Sequence, residues 1–478
     1  FITIHRKMQL FYLADSILNR TYRKEETMQT LTTGVPGKVI LKFSLPIFIG
    51  YILQQVYQMV DNIIVGQFLG ANAFAAVGST YGIFFLLSGF VWGITAGFTV
   101  LTAQKYGEGN LTETRQTIGT AMVLSAVLTI MITVLSVVGM SFLLKFMQTP
   151  DDIYDQTYAY IIIICAGLAA QVLYNLTAGI LRAVGNSRIP LYFLIFSAVL
   201  NIFLDLLFII PLNLGTGGAA LATVIAQGLS GILCLFYIVK KVPFLRLSKD
   251  DFSFRKAFAH EELSVGIPMA LQYIVTTVGM LIIQTALNSL GTLAVTAYTV
   301  GNKIDVIMEQ GPLAIGAAMS TYSAQNLGAG KGHRIRQGVK TSIYIMAVYF
   351  LIFGTLIAFF GKNLTYLFIS ESSVQLVEYV DIFLKIIGST GILLGILCIF
   401  RNSVQGMGYG TISLAGGIIE LIARGIIALV TRYFGQFRTI CIGYPLAWLF
   451  AGIFFIIVYF HVIGRTNPEK NTARQNCS

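Results

Sequence analysis

The chain has 478 residues, of which 56% are hydrophobic and 11% are charged, and its mean hydropathy is +0.77. Soluble domains carry about 25% charged residues, so this composition excludes soluble, disordered, collagen-like and disulfide-scaffold proteins. Crossing about 30 Å of hydrocarbon takes roughly 20 apolar residues in a helix. Stretches such as Ala71–Gln104 and Leu206–Val239 contain no Asp, Glu, Lys or Arg and are long enough. Because they are continuous rather than alternating, they predict an all-α membrane protein and not a β-barrel.

Twelve transmembrane helices are predicted, which we number as spans 1 to 12. Their ranges are 42–66, 74–100, 117–144, 157–181, 189–210, 217–239, 263–288, 294–324, 339–361, 377–401, 411–431 and 440–463. Of the 32 Lys and Arg residues, 23 lie on the side of the two termini and the even-numbered loops, with Lys340 at the adjoining end of span 9 included, and 4 lie on the opposite side. Since excess Lys and Arg marks the cytoplasmic side, we expect a multi-pass protein of the cell inner (plasma) membrane with both termini cytoplasmic. The net charge of +11 therefore reflects topology and gives no reason to expect a nucleic-acid partner.

The sequence contains an internal repeat with an offset of 221 residues. It pairs Thr102-Ala103-Gln104 with Ser323-Ala324-Gln325, and Leu69-Gly70 with Leu290-Gly291. A repeat of six spans keeps the same orientation in both copies, so we predict two parallel six-helix lobes around a central cleft. The predicted parts are an N-terminal cytoplasmic segment (1–36), an N-lobe (37–239), a cytoplasmic linker (240–262), a C-lobe (263–465) and a C-terminal tail (466–478). We expect residues 1–27 to be an upstream extension, because Met28 is a natural start shortly before span 1.

Few residues suggest enzymatic chemistry or a cofactor. The five cysteines are scattered without a CxxC pair, and no HExxH or Walker A sequence occurs. The acidic pair Asp151-Asp152 lies in an ordinary turn between spans 3 and 4. We therefore expect neither an enzyme nor a bound cofactor, and no ATPase within the chain.

Several motifs, taken in order, resemble the multidrug and toxic compound extrusion (MATE) family. They are Gln54-Gln55-Val56-Tyr57-Gln58-Met59-Val60-Asp61 in span 1, Leu181-Arg182-Ala183-Val184-Gly185-Asn186 after span 4, and Leu200-Asn201-Ile202-Phe203-Leu204-Asp205 in span 5. The last one is similar to the DNA-damage-inducible (DinF-type) branch. The resemblance covers roughly residues 37–465. It implies a secondary active antiporter that exports amphipathic, mostly cationic drugs and toxic compounds in exchange for protons or sodium by alternating access.

Two acidic residues within the N-lobe spans are candidates for ion coupling. Asp61 lies 19 residues after Lys42, or about 28 Å along a helix, and Asp205 lies 17 residues after Arg188, or about 25 Å. Both helices start at the cytoplasm, so the two carboxylates should reach a similar depth. Two close carboxylates in a low dielectric do not both ionise without a large cost. A proton or a cation relieves this cost, which is the property that a coupling site needs.

The resemblance extends this pair to a larger set of site residues. It implies an ion-coupling site formed by Asp61, Asn201, Asp205, Thr223, Tyr160 and Asn175. If the coupling ion is sodium, the ligands are expected to be Asp61, Asn201, Asp205 and Thr223; the sequence leaves proton and sodium both open. The candidates for substrate binding are Gln54, Gln58, Asp61, Asn175 and Asn201. For neutral residues such as Tyr160, Asn175 and Gln58, a structural hydrogen bond between helices is an equally good interpretation.

The C-lobe contains three secondary candidates: Asp305, Glu309 and Glu420. Glu420 precedes Arg424 by one helical turn, so the two side chains are expected to neutralise each other. Spans 7 and 10 lack the carboxylates that the resemblance associates with the other, sodium-coupled bacterial branch. Glu309, directly before Gln310-Gly311-Pro312, is the best C-lobe candidate for coupling or gating.

We expect the partners to be small amphipathic organic cations and membrane lipid, and the chain to act as a monomer. Two alternatives from other classes stay open. A lipid-linked oligosaccharide flippase of the same superfamily would need a cationic central cavity, whereas acids rather than Lys or Arg are concentrated in the N-lobe spans. A membrane-embedded transferase would need a His/Asp or DxD arrangement at an interface, which is missing from the sequence.

Overall fold

The computed structural model describes residues 30–253, 255–367 and 374–465, and these residues form helices and no strands. The proposed extension (1–27) and the C-terminal tail (466–478) lie outside the described residues. Within the described part, 9 helices are long and apolar enough to cross a membrane, or 11 if two bent helix pairs each count as one span. The chain is therefore an all-α, multi-pass membrane protein, as predicted.

Each predicted span corresponds to one helix or to consecutive helices. In chain order these are Pro36–Leu69 (span 1), Ala71–Ser79 with Tyr81–Gly107 (span 2), Leu111–Phe146 (span 3), Asp151–Ala166 with Leu168–Ala183 (span 4), Arg188–Ile209 (span 5), Gly215–Lys241 (span 6), Lys256–Asn288 (span 7), Thr292–Gly328 (span 8), Gly332–Tyr349 with a π-helix Phe350–Gly354 and Thr355–Leu364 (span 9), Val374–Thr390 with Ile392–Gly406 (span 10), Gly410–Phe434 (span 11), and Phe437–Cys441 with Gly443–Arg465 (span 12). The helices extend beyond most predicted spans, because an α-helix continues through flanking charged residues after the apolar stretch has ended. Spans 4 and 10, at equivalent positions of the repeat, are bent by 44° and 46°.

Of the predicted spans, span 8 is the one whose described helix is not counted as long and apolar enough to cross a membrane. It is a single helix of 37 residues. Lys303, Asp305 and Glu309 interrupt its apolar character, and Asp305 is buried inside the protein. Ionisable residues in a membrane span almost always face the interior of the bundle, which indicates where a polar site is to be found.

Two of the helices contribute to both halves of the molecule. The first part of span 1 places Ile40, Phe43 and Ile47 in the core of the C-lobe, whereas its later residues Ile64 and Val65 pack within the N-lobe. Span 7 shows the opposite arrangement. It belongs to the C-lobe half of the chain, but its early residues Ala259 and Ala270 pack in an N-lobe cluster. The two lobes are therefore coupled by the packing of these two helices. The residue boundaries of the lobes, which were assigned from the order of the spans in the sequence, stay a prediction.

Residues 30–34, the described part of the central linker and the loops after spans 2, 4, 8 and 10 share one face of the bundle, which we call the linker face. The linker contains the short helices Pro243–Leu245 and Lys249–Phe252. Asp251 is buried there and accepts hydrogen bonds from the backbone N–H and the hydroxyl of Ser248, both at 2.8 Å, and it pairs with Arg115 at 3.5 Å. Burial alone would raise the pKa of the Asp251 carboxyl, but these donors hold the pKa below its ordinary value. The linker is thereby fixed to span 3.

Residues 30–34, which we call the strap, run along the linker face before span 1. Leu31 is 2% exposed and packs in the C-lobe core. Arg334 donates hydrogen bonds to the carbonyls of Thr33 and Gly34 at 3.2 and 3.0 Å, and Lys331 donates one to Thr32 at 3.1 Å. The strap is thus an ordered part of the C-lobe.

Candidate functional site

The two acidic residues singled out in the N-lobe meet in the interior. The carboxyl groups of Asp61 in span 1 and Asp205 in span 5 lie within hydrogen-bond range of each other. Asp205 is 1% exposed, and both of its carboxyl oxygens and Oδ1 of Asp61 have no hydrogen-bond donor among the described residues. A contact between two carboxyl groups is a hydrogen bond only when one of them carries a proton. This pair is therefore suited to hold a proton or a small cation.

Among the predicted neighbours of this pair, Asn201 lies one helical turn before Asp205 in span 5 and contacts Thr223 in span 6. Asn201 is 2% exposed, its Nδ2 donates to the Thr223 hydroxyl at 3.5 Å, and its Oδ1 has no partner among the described residues. The Thr223 hydroxyl in turn donates to the carbonyl of Ala219 at 3.2 Å. Tyr160 lies within electrostatic range of both aspartates. The arrangement gathers several oxygen atoms without donors, which are the ligands that hard cations use.

A cavity of about 430 Å³, which includes space open to solvent, lies between helices of the N-lobe. Its walls come from spans 1, 2, 4, 5 and 6, and the residues that line it are Gln54, Tyr57, Gln58, Phe84, Trp92, Gln171, Tyr174, Asn175, Leu194, Ser197 and Gln227. Tyr57 connects the cavity to the pair, because it lies within electrostatic range of Asp61 and within hydrogen-bond range of Gln58 and Gln227. Aromatic walls with a few polar groups are typical of small-molecule sites.

In the structure, some of the predicted site residues line the cavity and others lie at the carboxyl pair. Gln54, Gln58 and Asn175 line the cavity, whereas Asp61 and Asn201 lie at the carboxyl pair. The amide of Asn175 donates to the carbonyl of Gln171 at 2.8 Å. The sequence reasoning missed Tyr57 and Trp92, although Tyr57 belongs to the same motif as Asp61. Their aromatic character alone gave no signal, because aromatic side chains also face lipid in membrane proteins.

The C-lobe candidates form a separate cluster of charges. Glu420 is 3% exposed, and its carboxylate pairs with Arg424 at 3.2 Å and with Arg401 at 3.5 Å. Arg424 also donates to the carbonyl of Thr276 at 3.1 Å. Glu420 is thus engaged in ion pairs, in agreement with the expected neutralisation. Asp305 is 4% exposed, and its Oδ1 has no hydrogen-bond partner within the described ranges. Glu309 lies within electrostatic range of both Asp305 and Arg424.

On the linker face, two glutamines related by the repeat join the lobes. Gln104 of the N-lobe donates to the carbonyl of Gly406 at 2.9 Å, and Gln325 of the C-lobe donates to the carbonyl of Ala183 at 2.7 Å. The Oε1 atom of Gln325 also accepts a hydrogen bond from the backbone N–H of Leu31 at 2.8 Å, which fixes the orientation of this amide. We call the two cross-lobe hydrogen bonds the glutamine latch.

Backbone contacts reinforce the glutamine latch. A side chain at Gly107 would overlap the backbone of Gln325, and one at Gly328 would overlap the backbone of Gln104. Farther along the same interface, Gly97 packs directly on Gly266, so the helices of spans 2 and 7 touch at their backbones. The lobes are therefore in close contact on the linker face.

The sequence pattern of the MatE family matches residues 46–207 and 268–433, which include most of both lobes. The chain belongs to the MATE family. Members of this family are multi-pass membrane transporters for multidrug efflux. In general they are not enzymes. The structure thereby confirms the family resemblance and the two-lobe all-α architecture predicted from the sequence, whereas the DinF-type branch stays a prediction.

Individual relatives agree with this assignment. The chain is 28% identical over 439 residues to the probable multidrug resistance protein YpnP of Bacillus subtilis (strain 168), and the match covers 90% of this chain and 96% of that protein. It is 24% identical to a FAD transporter of Shewanella oneidensis, over 87% of this chain and 93% of that protein. A solved structure of a multidrug resistance MATE family transporter in an outward-facing conformation superposes with a TM-score of 0.87 at 22% identity, and covers 93% of this chain and 99% of that one. At this identity, the superposition supports the fold alone.

Proposed function

We propose that this MATE protein is a secondary active antiporter that exports amphipathic organic cations in exchange for protons or sodium by alternating access. The observation that carries the proposal is the buried contact between the carboxyl groups of Asp61 and Asp205 in the lobe that holds an aromatic cavity. An antiporter needs a site whose charge changes when the ion binds or leaves. Moving one elementary charge across 100 mV is worth about 2.3 kcal/mol, so a group that can be neutralised in transit matters for pumping.

The substrate class follows from the same geometry. Acidic groups attract organic cations, and the tyrosine and tryptophan rings of the cavity offer faces on which a cation can lie. The cavity lining contains no Lys or Arg, so it provides no groups for holding a pyrophosphate. This observation argues against a lipid-linked oligosaccharide flippase as the alternative function.

We further propose a plasma-membrane location with the linker face in the cytoplasm, and a functional monomer. The asymmetry of Lys and Arg supports this orientation, because the strap, the linker and the basic loops all lie on the linker face. In this orientation the glutamine latch closes the cytoplasmic side of the cleft.

The test is transport of ethidium by the purified protein in liposomes, with a pH gradient alone and with a sodium gradient alone. We expect one of these gradients to drive transport and an ionophore to abolish it. Asp61→Asn and Asp205→Asn should each abolish coupled transport, whereas Asn201→Ala and Thr223→Ala should reduce it. Asp152→Asn, a change of an exposed carboxylate outside the site, serves as the control and should transport normally.

Two results would contradict the proposal. Transport that persists without any ion gradient would exclude secondary coupling. Wild-type rates in both Asp61→Asn and Asp205→Asn would exclude the N-lobe site, and Glu309 would then be the leading candidate.

A further inference from the structure

Glu262 is a buried carboxyl group that the transport scheme above does not use. It lies near the start of span 7, in the helix Lys256–Asn288, and it is 0% exposed. Both of its carboxyl oxygens lack a hydrogen-bond donor among the described residues. Almost all buried polar groups in proteins have a partner, so a fully buried carboxyl group without one requires an explanation.

The face of span 7 that carries Glu262 packs against the N-lobe. Residues three or four apart in a helix share a face, and the neighbours of Glu262 at these spacings include Ala259, Val265 and Gly266. Ala259 packs in an N-lobe cluster, and Val265 shares a second cluster with residues of spans 2 and 4. A side chain at Gly97 in span 2 would overlap the backbone of Gly266. Glu262 therefore lies at the interface that closes the linker face.

The ionisable groups near Glu262 do not offer it a counter-charge. Those beside it in span 7 and at the adjoining ends of spans 2, 3 and 11, which pack against span 7, are His260, Glu261, Lys105, Glu108, Glu113, Arg115 and Tyr409. Lys105 pairs with Glu108 and Glu113 at 3.1 and 2.9 Å, and Arg115 pairs with Asp251 at 3.5 Å. Within the described ranges, Glu262 thus has no ion pair.

The protonation of Glu262 follows from this environment. A carboxylate that is taken out of water without a counter-charge is strongly destabilised, and the group takes up a proton instead. The neighbouring Glu261 carries a like charge, which acts in the same direction. When the lobes separate, the N-lobe face of span 7 meets water, where a glutamic acid is ionised at neutral pH. Closure of the linker face is therefore linked to the binding of one proton.

We propose that Glu262 is a proton-binding gate of the linker face, which holds a proton while the lobes are closed and releases it to the solution when they separate. This inference rests on the proposed alternating access and adds a pH-dependent step to it. Uptake and release take place on the same side of the membrane, so Glu262 moves no net proton across it. Unlike the pair of Asp61 and Asp205, it sets the pH range in which the lobes open and not the driving force for transport.

The test measures lobe separation against pH, by the distance between spin labels at Thr112 and His333, one on each lobe. The background is a cysteine-free Asp61→Asn/Asp205→Asn chain, in which the N-lobe pair does not titrate. Because the closed state binds one more proton, the ratio of separated to closed lobes should rise by up to about tenfold per pH unit between about pH 5 and about pH 8. Glu262→Gln imitates the neutral acid, so it should stay closed and lose this slope.

The matched control is Glu261→Gln, a change of the adjacent exposed glutamate, which should keep the slope of the parent. Infrared spectroscopy provides a direct second measurement. Near neutral pH, the parent and Glu261→Gln should show the absorption of a protonated carboxyl group that Glu262→Gln lacks. A pH slope that Glu262→Gln leaves unchanged, or infrared spectra without this difference, would overturn the inference.

Ethidium transport keeps this result separate from the proposed function. In the chain with native Asp61 and Asp205, transport by Glu262→Gln should still require the ion gradient. Its rate at about pH 8 should fall severalfold, because the lobes separate less often. An unchanged pH slope together with gradient-driven transport refutes the gate and leaves the proposed function standing, whereas transport by the native chain without a gradient refutes the proposed function.

Discussion

The glutamine latch gives a quantitative prediction for the balance between the two states of an alternating-access cycle. In the double variant Gln104→Leu/Gln325→Leu, both side-chain hydrogen bonds across the linker face are lost. The acceptor at Ala183 belongs to a residue that is 2% exposed, so its carbonyl stays away from water while the lobes are closed. When the lobes separate, the same carbonyl is hydrated. The substitutions therefore destabilise the closed state and leave the open state nearly unchanged.

The magnitude follows from the number of bonds. A buried hydrogen bond contributes about 0.5–1.5 kcal/mol net, so two of them contribute about 1–3 kcal/mol. This free energy corresponds to a shift of about 5- to 150-fold in the ratio of open to closed lobes. Each single variant should cause only part of this change in free energy. Gln325→Leu should have the larger effect, because Leu31 holds the Gln325 amide in its bonding orientation.

The assay is the distance between two spin labels on the linker face. Thr112 and His333 are exposed, are related by the repeat and follow spans 2 and 8, so one label reports on each lobe. The labels replace these residues in a cysteine-free background. Pulsed electron resonance in liposomes then gives the fraction of molecules with separated lobes.

An exposed glutamine on the same face provides the control. Gln337→Leu should leave the distance distribution unchanged. If the double variant shows the wild-type distribution, the two hydrogen bonds do not contribute to closure, and the backbone contacts alone hold the lobes together. If Gln337→Leu shifts the distribution as much as the double variant does, the effect is a general one of removing a surface amide.

Three further predictions concern the strap, the topology and the interface. Removal of residues 1–27 should leave insertion and export intact, whereas removal of 1–34 should impair both because it deletes the strap; equal behaviour of the two truncations in a transport assay would contradict this. In intact cells, a tag in the linker 240–262 should be protected from an impermeant reagent, whereas a tag in the turn 149–152 should react. Reaction of the tag in the linker would refute the proposed orientation. Gly97→Ala places a methyl group against the backbone of the facing helix, so it should destabilise the closed lobes by about 1–3 kcal/mol. The spin-label assay measures this effect. An unchanged distance distribution would show that the helices can separate locally.

Much of the candidate site could be predicted because it depends on distances along single helices. Asp61 and Asp205 lie at similar depth since both helices start on the same face and rise by about 1.5 Å per residue. The polar residues of span 1 share one helical face, and two of them, Gln54 and Gln58, line the cavity. In contrast, no pattern in the sequence identified Tyr57 or Trp92 as cavity walls.

Arg182 shows why the remainder was not predictable. Apolar character predicts that span 4 ends at residue 181, which places this arginine among the basic residues of a cytoplasmic loop. The structure instead places it within the helix Leu168–Ala183, with a partly buried side chain. Apolar patterning locates the end of a span only to within a turn, and a single turn decides whether a side chain faces water or the cleft.

The sequence by itself determined the helical membrane fold, the order of the spans and the repeat, because apolar length, charge placement and internal similarity are properties of the chain. Tertiary structure alone decided that spans 1 and 7 contribute to both lobes, and that Gln104 and Gln325 bond across the linker face. These features join residues that are far apart in the chain. They depend on how helices pack in three dimensions, and the pattern of any single helix does not encode which neighbour it will face.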